Sequence, residues 1–360
     1  VSGQDFVQRV NDRCAAFLEA KRDQVRAVSA EADELVSSLT ALTAGGKKLR
    51  PVLARIGWRA SGAADEEAAV EHLGVALELF QAAALIHDDV IDRSATRRGQ
   101  PSTHRRFASL HTQHSFAGDA EHFGTAGAIL TGDLALSWAA EAFDQAEQAA
   151  AAPSRSGRET FRTMHTEVIT GQYLDVLSEV AAAPADEATA VARARAVLTY
   201  KSAKYSTQYP VALGCSLTGG HPDLQQALAR AALPVGVAFQ LRDDLLGVFG
   251  DPQITGKPVG DDLREGKRTE LVTYGLFRSP SPASEKLASM LGREDLSEDD
   301  VDAAREILLS CGAVAAVEAE IDALVRASVD AEGPLRQLGV GQPVLEDFAE
   351  VRQRLVARTS

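Results

Sequence analysis

Aromatic residues are scarce in this 360-residue chain, at 5%. Alternating runs of β-branched or aromatic residues are scarcer still. That lack argues against an all-β fold, and no strand–helix alternation points to a parallel sheet. Cysteine is also rare. Cys14, Cys215 and Cys311 are the three, far apart, with no CxxC pair and no zinc spacing. A disulfide scaffold is excluded, and a reducing, cytoplasmic compartment is the simplest expectation. Basic charge is in deficit: Lys and Arg number 37 against 51 Asp and Glu, a formal charge of −14. Nucleic-acid binders need a basic footprint and polybasic membrane-surface proteins need a cationic face. Neither partner is expected. No apolar run reaches the ~18 residues of a membrane span, so stable membrane insertion is not expected either. The start, VSGQDF, lacks a basic-then-apolar signal region, and it lacks Met, as a trimmed end would.

What is present is helical. The hydrophobic share of 45% is ordinary for a globular protein. A chain of this length buries about three quarters of its unfolded surface. Residues 68–91 carry Val70, Leu73, Leu77, Phe80, Ala84 and Ile91, mostly three or four apart. Residues 224–249 form a second such stretch, with Pro234 as an expected kink or break, and residues 301–327 form a third. The predicted fold class is all-α. Thr43 to Gly46 reads as a loop before a helix starting near Pro51. Residues 99–124 read as a polar, mobile loop holding His104, His111, His114 and His122. Further loops are expected at 151–157, 182–186, 219–222, 250–266 and 279–282. None is long or biased enough to divide the chain, and no repeat is visible. One domain spanning 1–360 is expected.

Two acidic stretches carry the chemistry. In Leu85-Ile-His-Asp88-Asp89-Val-Ile-Asp92, Asp88 and Asp92 are four apart and share a helical face, with Asp89 beside it. Carboxylates this close repel unless one is protonated or a cation lies among them. A hard divalent ion such as Mg²⁺ suits them, because it binds through one or two carboxylates plus substrate phosphates. The alternative is a solvated acidic helix end, though acids are disfavoured at a helix C-terminus. Phe239-Gln240-Leu-Arg-Asp243-Asp244-Leu-Leu-Gly247 repeats the pattern, with Gly247 where the first stretch has Asp92. The two helices are expected to face each other across a cavity. A plain acidic end with a Gly cap is the alternative for the second.

Basic residues stand nearby in sequence. Gly45-Gly46-Lys47-Lys48-Leu49-Arg50-Pro51 precedes a helix, and Arg93-Ser-Ala-Thr-Arg97-Arg98-Gly99 follows the first acidic stretch. Lys201-Ser-Ala-Lys204 and Gly256-Lys257-Pro258 add further cations. Cations beside carboxylates fit a metal–diphosphate site, and equally a surface where charges offset one another. Two other patterns fail. The run from Gly250 to Pro258 is one residue too long for a phosphate loop, and Pro258 replaces the hydroxyl that would hold magnesium. The clustered histidines lack a zinc-type pairing.

Taken in order, GGKKLRP, DDVID with RSATRRGQPS, GQYLD, KSAKYS, FQLRDDLLG and GKPVGDDLREGKRT resemble the trans-isoprenyl diphosphate synthases, or polyprenyl synthetases. The resemblance is dense over residues 35–271. It implies an all-α isoprenoid synthase-type bundle around a central active-site cavity, and a homodimer. The implied reaction joins isopentenyl diphosphate head to tail to an allylic diphosphate. Residue by residue, it implies that Asp88 and Asp92, with Asp89 in support, hold two Mg²⁺ ions on the allylic diphosphate. Asp243, with Asp244 nearby, would hold a third. Arg97, Lys201 and Lys257 would bind the allylic diphosphate. Lys47, Arg50 and Arg98 would bind isopentenyl diphosphate, assisted by Gln81. Ser202 and Gln240 would flank the reacting carbons. Gly247 departs from the family's DDxxD pattern, while Asp243, Asp244, Asp261 and Asp262 remain.

Product length is expected from the helix before Asp88. Family members that stop at the farnesyl length usually carry a bulky aromatic four or five residues before this position. Here Ala84 and Ala83 stand there, with Phe80 eight residues back as an expected floor. Geranylgeranyl diphosphate is the expected product. If Phe80 is ordinary core, a longer polyprenyl product follows. A farnesyl product, a class I terpene cyclase and a non-catalytic synthase subunit are the other readings. The cyclase would need an Asn/Ser/Glu metal motif, and none is found. The subunit would have lost the acidic stretches, and both are largely intact.

Overall fold

The computed structural model describes residues 3–63, 68–97, 99–151, 155–182, 184–219, 221–250, 260–293 and 295–357. Arg98 and Lys257 lie outside the described residues, as does most of the run tested as a phosphate loop. Among the described residues the only strands are two-residue pieces, so the chain is all-α as predicted. It divides into two compact units, residues 1–157 with 213–221, and residues 158–212 with 222–360.

In the first unit, α1 (Gly3–Val28), α2 (Asp33–Thr43), α3 (Leu49–Ala60) and α4 (Ala68–Ile91) come first. A short hairpin of β1 (Thr96–Arg97) and β2 (Gln100–Pro101) follows, then α5 (Thr103–Gln113) and α6 (Ala120–Ala149). α4 is the central helix, packed on α6, α3 and α1. Its Leu73, Leu77, Phe80 and Ile86 are fully buried, and Ala128, Ala135, Ala139 and Ala142 of α6 are buried too. Small residues on α6 allow close approach to bulky ones on α4, and each large side chain so buried contributes ~1.5–3 kcal/mol. By length and composition α4 would also suit a membrane span, a property the expectation of no span-length apolar run overlooked. Of its most apolar window 78% is buried, which is the mark of a core helix.

Residues 99–124 are not a solvated loop. Most of them form α5 and the start of α6. His104, Phe107, Ala108 and His111 recur at helical spacing and are buried. His104 Nδ1 lies 3.2 Å from Ser102 Oγ, and His111 Nε2 lies 3.3 Å from the Ala117 carbonyl. Imidazoles read as polar in sequence, but here they serve as satisfied core groups. His114 and His122 are exposed, as expected.

In the second unit, α7 (Arg155–Val180) and α8 (Glu187–Leu198) lead into a π-helix over Thr199–Gln208 and then α9 (Tyr209–Ser216). α7 and α9 run through the boundary between the units. α10 (Pro222–Phe249) continues unbroken through Pro234, so the expected break does not occur. α11 (Asp261–Glu265), α12 (Glu270–Arg278), α13 (Ser281–Met290) and α14 (Glu298–Ser310) follow. α15 (Ala313–Asp330), α16 (Glu332–Gln337) and α17 (Gln342–Val356) complete the unit. The single helix expected over 301–327 is interrupted at Cys311–Gly312, where Gly312 adopts φ 75° and turns the chain into α15. Leu241, Leu245 and Val248 of α10 form one core with Leu271, Val301, Leu308, Val317 and Ile321.

His165 on α7 yields a pH prediction. Its ring lies 4.5 Å from that of Phe161, and burial pushes the imidazole down to about 4. The unfolded chain takes up a proton near the ordinary value of about 6.5, and the folded chain does not. Stability is therefore lost as pH falls through about 6.5, levelling off below about 4. His165→Gln is expected to remove this contribution. Denaturant midpoints of the two proteins should converge or cross as pH is lowered from about 7.5 to about 4.5. A constant difference would overturn the assignment.

Candidate active site

The first acidic stretch ends α4. The Asp92 amide donates to the Asp88 carbonyl at 2.8 Å, closing the last turn. Arg93 then adopts φ 54°, and the Ser94 amide reaches back to the Asp89 carbonyl at 2.9 Å. This left-handed cap, usually a Gly position, starts the hairpin that folds Arg97 back over the helix end. Arg97 Nε donates to Asp89 Oδ1 at 2.9 Å, and Nη2 reaches the same oxygen and, at 3.5 Å, Asp88 Oδ2. Asp89 is 2% exposed. Burial raises its carboxyl above the ordinary range, Arg97 opposes that rise, and Asp88 and Asp92 add to it. The three carboxylates are thus unlike. Asp89 is sunk into the protein and held by Arg97, whereas Asp88 and Asp92 are half-buried at the helix end.

Lys48, within GGKKLRP, is 3% exposed, and its Nζ donates to Glu78 Oε2 at 2.7 Å and the Thr43 carbonyl at 2.6 Å. Gly45, Gly46 and Lys48 all take positive φ, so the loop coils tightly and α3 begins at Leu49, two residues before Pro51. Lys48 is a tether from this loop to α4. Lys47 is exposed, and Arg50 is buried in the first turn of α3. On α4, Gln81 and Ala84 are half-buried, whereas Phe80 and Ala83 are 1% and 0% exposed.

In the second unit the KSAKYS run lies in the π-helix, a geometry found mostly at functional sites. Lys201 Nζ donates to Asp175 Oδ2 at 2.6 Å. Lys204 pairs with Glu167 at 2.5 Å and lies over the rings of Tyr200 and Tyr209. Two glycines permit this packing. A Cβ at Gly171 would lie 2.3 Å from the Lys201 amide nitrogen, and one at Gly236 would lie 2.6 Å from the Ala203 carbonyl oxygen. α7 and α10 therefore approach the π-helix closely. Ser202, Gln240 and Asp243 are half-buried. Gln240 Nε2 donates to Asp244 Oδ1 at 3.4 Å. Asp244 is 9% exposed, and burial, reinforced by Asp262, pushes its carboxyl well up.

In the first unit Arg97 joins Asp89 and Asp88, with Asp92 four residues after Asp88; in the second, Gln240 meets Asp244 on α10, which also carries Asp243, whereas Lys201 and Ser202 lie on the π-helix and Lys201 is turned to Asp175. Sequence reasoning missed Asp175 as the partner of Lys201. Its signal was the GQYLD run, where Gly171 and Asp175 are four apart. The donors fit a hard divalent ion, because they are all carboxylates and no cation pairs with Asp244 or Asp262 among the described residues. Among those residues no three acidic or imidazole groups converge into a closed cage. That suits an ion whose shell is completed by phosphate oxygens and water.

An all-α chain with two acidic helix ends and basic runs beside them has the makings of a metal-dependent diphosphate-handling protein. The polyprenyl synthetase family model matches residues 32–308, and the chain belongs to that family. It is 30% identical over 283 residues to geranylfarnesyl diphosphate synthase of Aeropyrum pernix, covering 77% of this chain and 80% of that one. It is 35% identical over 274 residues to (2E,6E)-farnesyl diphosphate synthase of Mycobacterium tuberculosis, covering 74% and 67%. It is also similar to the crystal structure of geranylgeranyl pyrophosphate synthase from Corynebacterium glutamicum complexed with isoprenyl diphosphate and magnesium. There the TM-score is 0.91 at 36% identity, covering 99% of this chain and 100% of that one.

Proposed function

We propose that this chain condenses isopentenyl diphosphate head to tail with allylic diphosphates, with geranylgeranyl diphosphate as the main product. The observation that carries the proposal is the end of α4, where Arg97 locks Asp89 into the protein and Asp88 and Asp92 stay half-buried. Family membership and the magnesium in the similar Corynebacterium structure support Mg²⁺ as the cofactor, with about three ions per site by the family's pattern. When bound, Mg²⁺ would neutralise the charge that builds on the departing diphosphate.

The chain's own residues have distinct roles in this reading. Asp88 and Asp92 hold the ions on the allylic diphosphate, and Asp89 supports them by fixing Arg97. Asp243 and Asp244 serve a further ion. Arg97, Lys201 and Lys257 bind the allylic diphosphate. Lys47, Arg50 and Arg98, assisted by Gln81, clamp isopentenyl diphosphate in attack geometry. Ser202 and Gln240 flank the reacting carbons. Apolar walls exclude the water that would quench the allylic cation, and the released diphosphate takes the proton lost at the end. The two units act as one polyprenyl synthetase domain, as a cytoplasmic homodimer without nucleic acid or stable membrane insertion.

The named relatives make farnesyl, geranylgeranyl and geranylfarnesyl diphosphates, so product length rests on this chain's own α4. Ala83 and Ala84 leave room where a bulky residue would end growth, and Phe80 lies beyond them. The test is elongation of dimethylallyl, geranyl and farnesyl diphosphates by purified protein with Mg²⁺, with products sized by mass spectrometry. A geranylgeranyl product is expected. A folded sample that elongates no primer overturns the reading, and release of a cyclic hydrocarbon would make the chain a cyclase.

A further inference from the structure

One cavity in the second unit is lined by none of the residues assigned above. It lies between the C-terminal end of α7, α8 and α12, with an empty volume of about 410 Å³ that includes its opening to solvent. Ala190, Leu276 and Phe277 give it apolar walls, and Arg193, Arg268 and Thr273 line it beside them.

These two arginines are unlike their neighbours. Arg195, two residues after Arg193 on α8, holds Glu270 and Glu320, and Arg278 at the end of α12 holds Glu187. Arg193 and Arg268 pair with no carboxylate among the described residues. Arg193 donates only to the Leu177 and Ala182 carbonyls, at 3.3 and 3.5 Å, which caps α7 but leaves its charge unneutralised. Arg268 makes no hydrogen bond among the described residues. Acids outnumber bases in this chain, 51 to 37, so two guanidiniums without a counter-charge on one cavity need a reason.

A third group is also unsatisfied. Hydroxyls inside helices of this chain commonly turn back to the carbonyl four residues earlier, as Thr43 does to Leu39 and Thr207 to Ala203. Thr273 is 4% exposed, yet its hydroxyl makes no such bond and meets no other partner among the described residues. A buried donor left open is costly. Two guanidinium forks and a hydroxyl match the oxygens of a phosphate group, which offers more acceptors and more charge than one carboxylate. The apolar walls suit a short hydrocarbon body.

We propose that this cavity binds a phosphate monoester with a short apolar body, held by Arg193, Arg268 and Thr273. The site is separate from the reacting centre, because Lys201, Gln240 and Asp243 do not line it. Ser178 also lines it and donates to the Asp175 carbonyl at 2.7 Å, and Asp175 in turn holds Lys201. The cavity thus borders the support of a residue assigned to the allylic diphosphate without containing that residue.

The test uses the full chain in Mg²⁺-free buffer, with butyl phosphate as the probe and affinity read by isothermal titration calorimetry. Butyl phosphate is expected to bind. Inorganic phosphate, which lacks the apolar body, and butyrate, which lacks the phosphate, should each bind several-fold more weakly. Arg268→Gln should weaken butyl phosphate by about 10–100-fold, the worth of a charge-assisted contact. That variant should melt with the parent, because Arg268 makes no bond among the described residues that the fold would lose. Thr273→Val, which keeps the shape, should weaken the probe several-fold. Lys201→Ala is the control. A probe held by the reacting centre would be lost in Lys201→Ala and kept in Arg268→Gln, and that pattern overturns the proposal. So does butyrate or inorganic phosphate binding as tightly as butyl phosphate, or no binding by the folded parent. Elongation of primers is read separately, so the enzyme reading and this site can fail independently.

Discussion

Replacing Asp88 by Ala is expected to lower the rate of prenyl elongation by about a thousandfold at saturating Mg²⁺ and substrate. The size follows from the work assigned to it. Neutralising a departing diphosphate is worth several kcal/mol, and each 1.36 kcal/mol is a factor of ten, so losing about 4 kcal/mol gives ~10³. The fold should survive. Asp88 is half-buried and lies 3.5 Å from Arg97 Nη2, so its removal leaves the closer Arg97–Asp89 bond in place. The loss should fall mainly on kcat, because the interaction strengthens as the C–O bond breaks. Asp89→Asn is a useful contrast. It removes the fully buried charge that holds Arg97, so it should also lower thermal stability. A tenfold or smaller effect of Asp88→Ala on kcat, in a folded protein with intact Mg²⁺ dependence, would reject the assignment of the α4 end as the metal-binding site.

Why Asp88 was visible in sequence, and other parts were not, has a physical explanation. α4 was legible over its whole length, because apolar residues three and four apart over two dozen positions leave no other structure. The carboxylates at its end were legible because their spacing, four residues on one helix, is itself the geometry. α5 was hidden because imidazoles look solvated until a tertiary surface covers them, as α6 covers His104 and His111. The Cys311–Gly312 break was masked by apolar periodicity on either side, although a glycine is the ordinary signal for a left-handed turn. Pairings across the chain were the least legible. Lys201 meets Asp175 26 positions away, and Asp262 meets Gly247 only because α11 folds against α10. Both depend on glycines, Gly171 and Gly247, whose sequence signal is an absent side chain. A missing carboxylate at 247 reads as a lost function in one dimension and as room for another residue in three.

The second large effect concerns product length. Phe80→Ala is expected to shift the product from geranylgeranyl diphosphate to a chain at least one isoprene unit longer. Phe80 lies eight residues before Asp88, two turns and roughly 12 Å along α4 at ~1.5 Å per residue. Being 1% exposed, it is closely packed, so truncation leaves a cavity and costs about 3–5 kcal/mol of stability. Stability loss and product change are separable. Partial unfolding reduces the amount of product but cannot lengthen it, whereas loss of a floor changes the distribution made by each folded molecule. Phe80→Leu, which retains more volume, should lengthen the product less and cost less stability. The converse change, Ala84→Phe, acts at a half-buried position one turn nearer Asp88 and should shorten the product towards farnesyl. A product distribution unchanged in both Phe80→Ala and Ala84→Phe would remove α4 as the measure of chain length and leave Phe80 as a core residue alone.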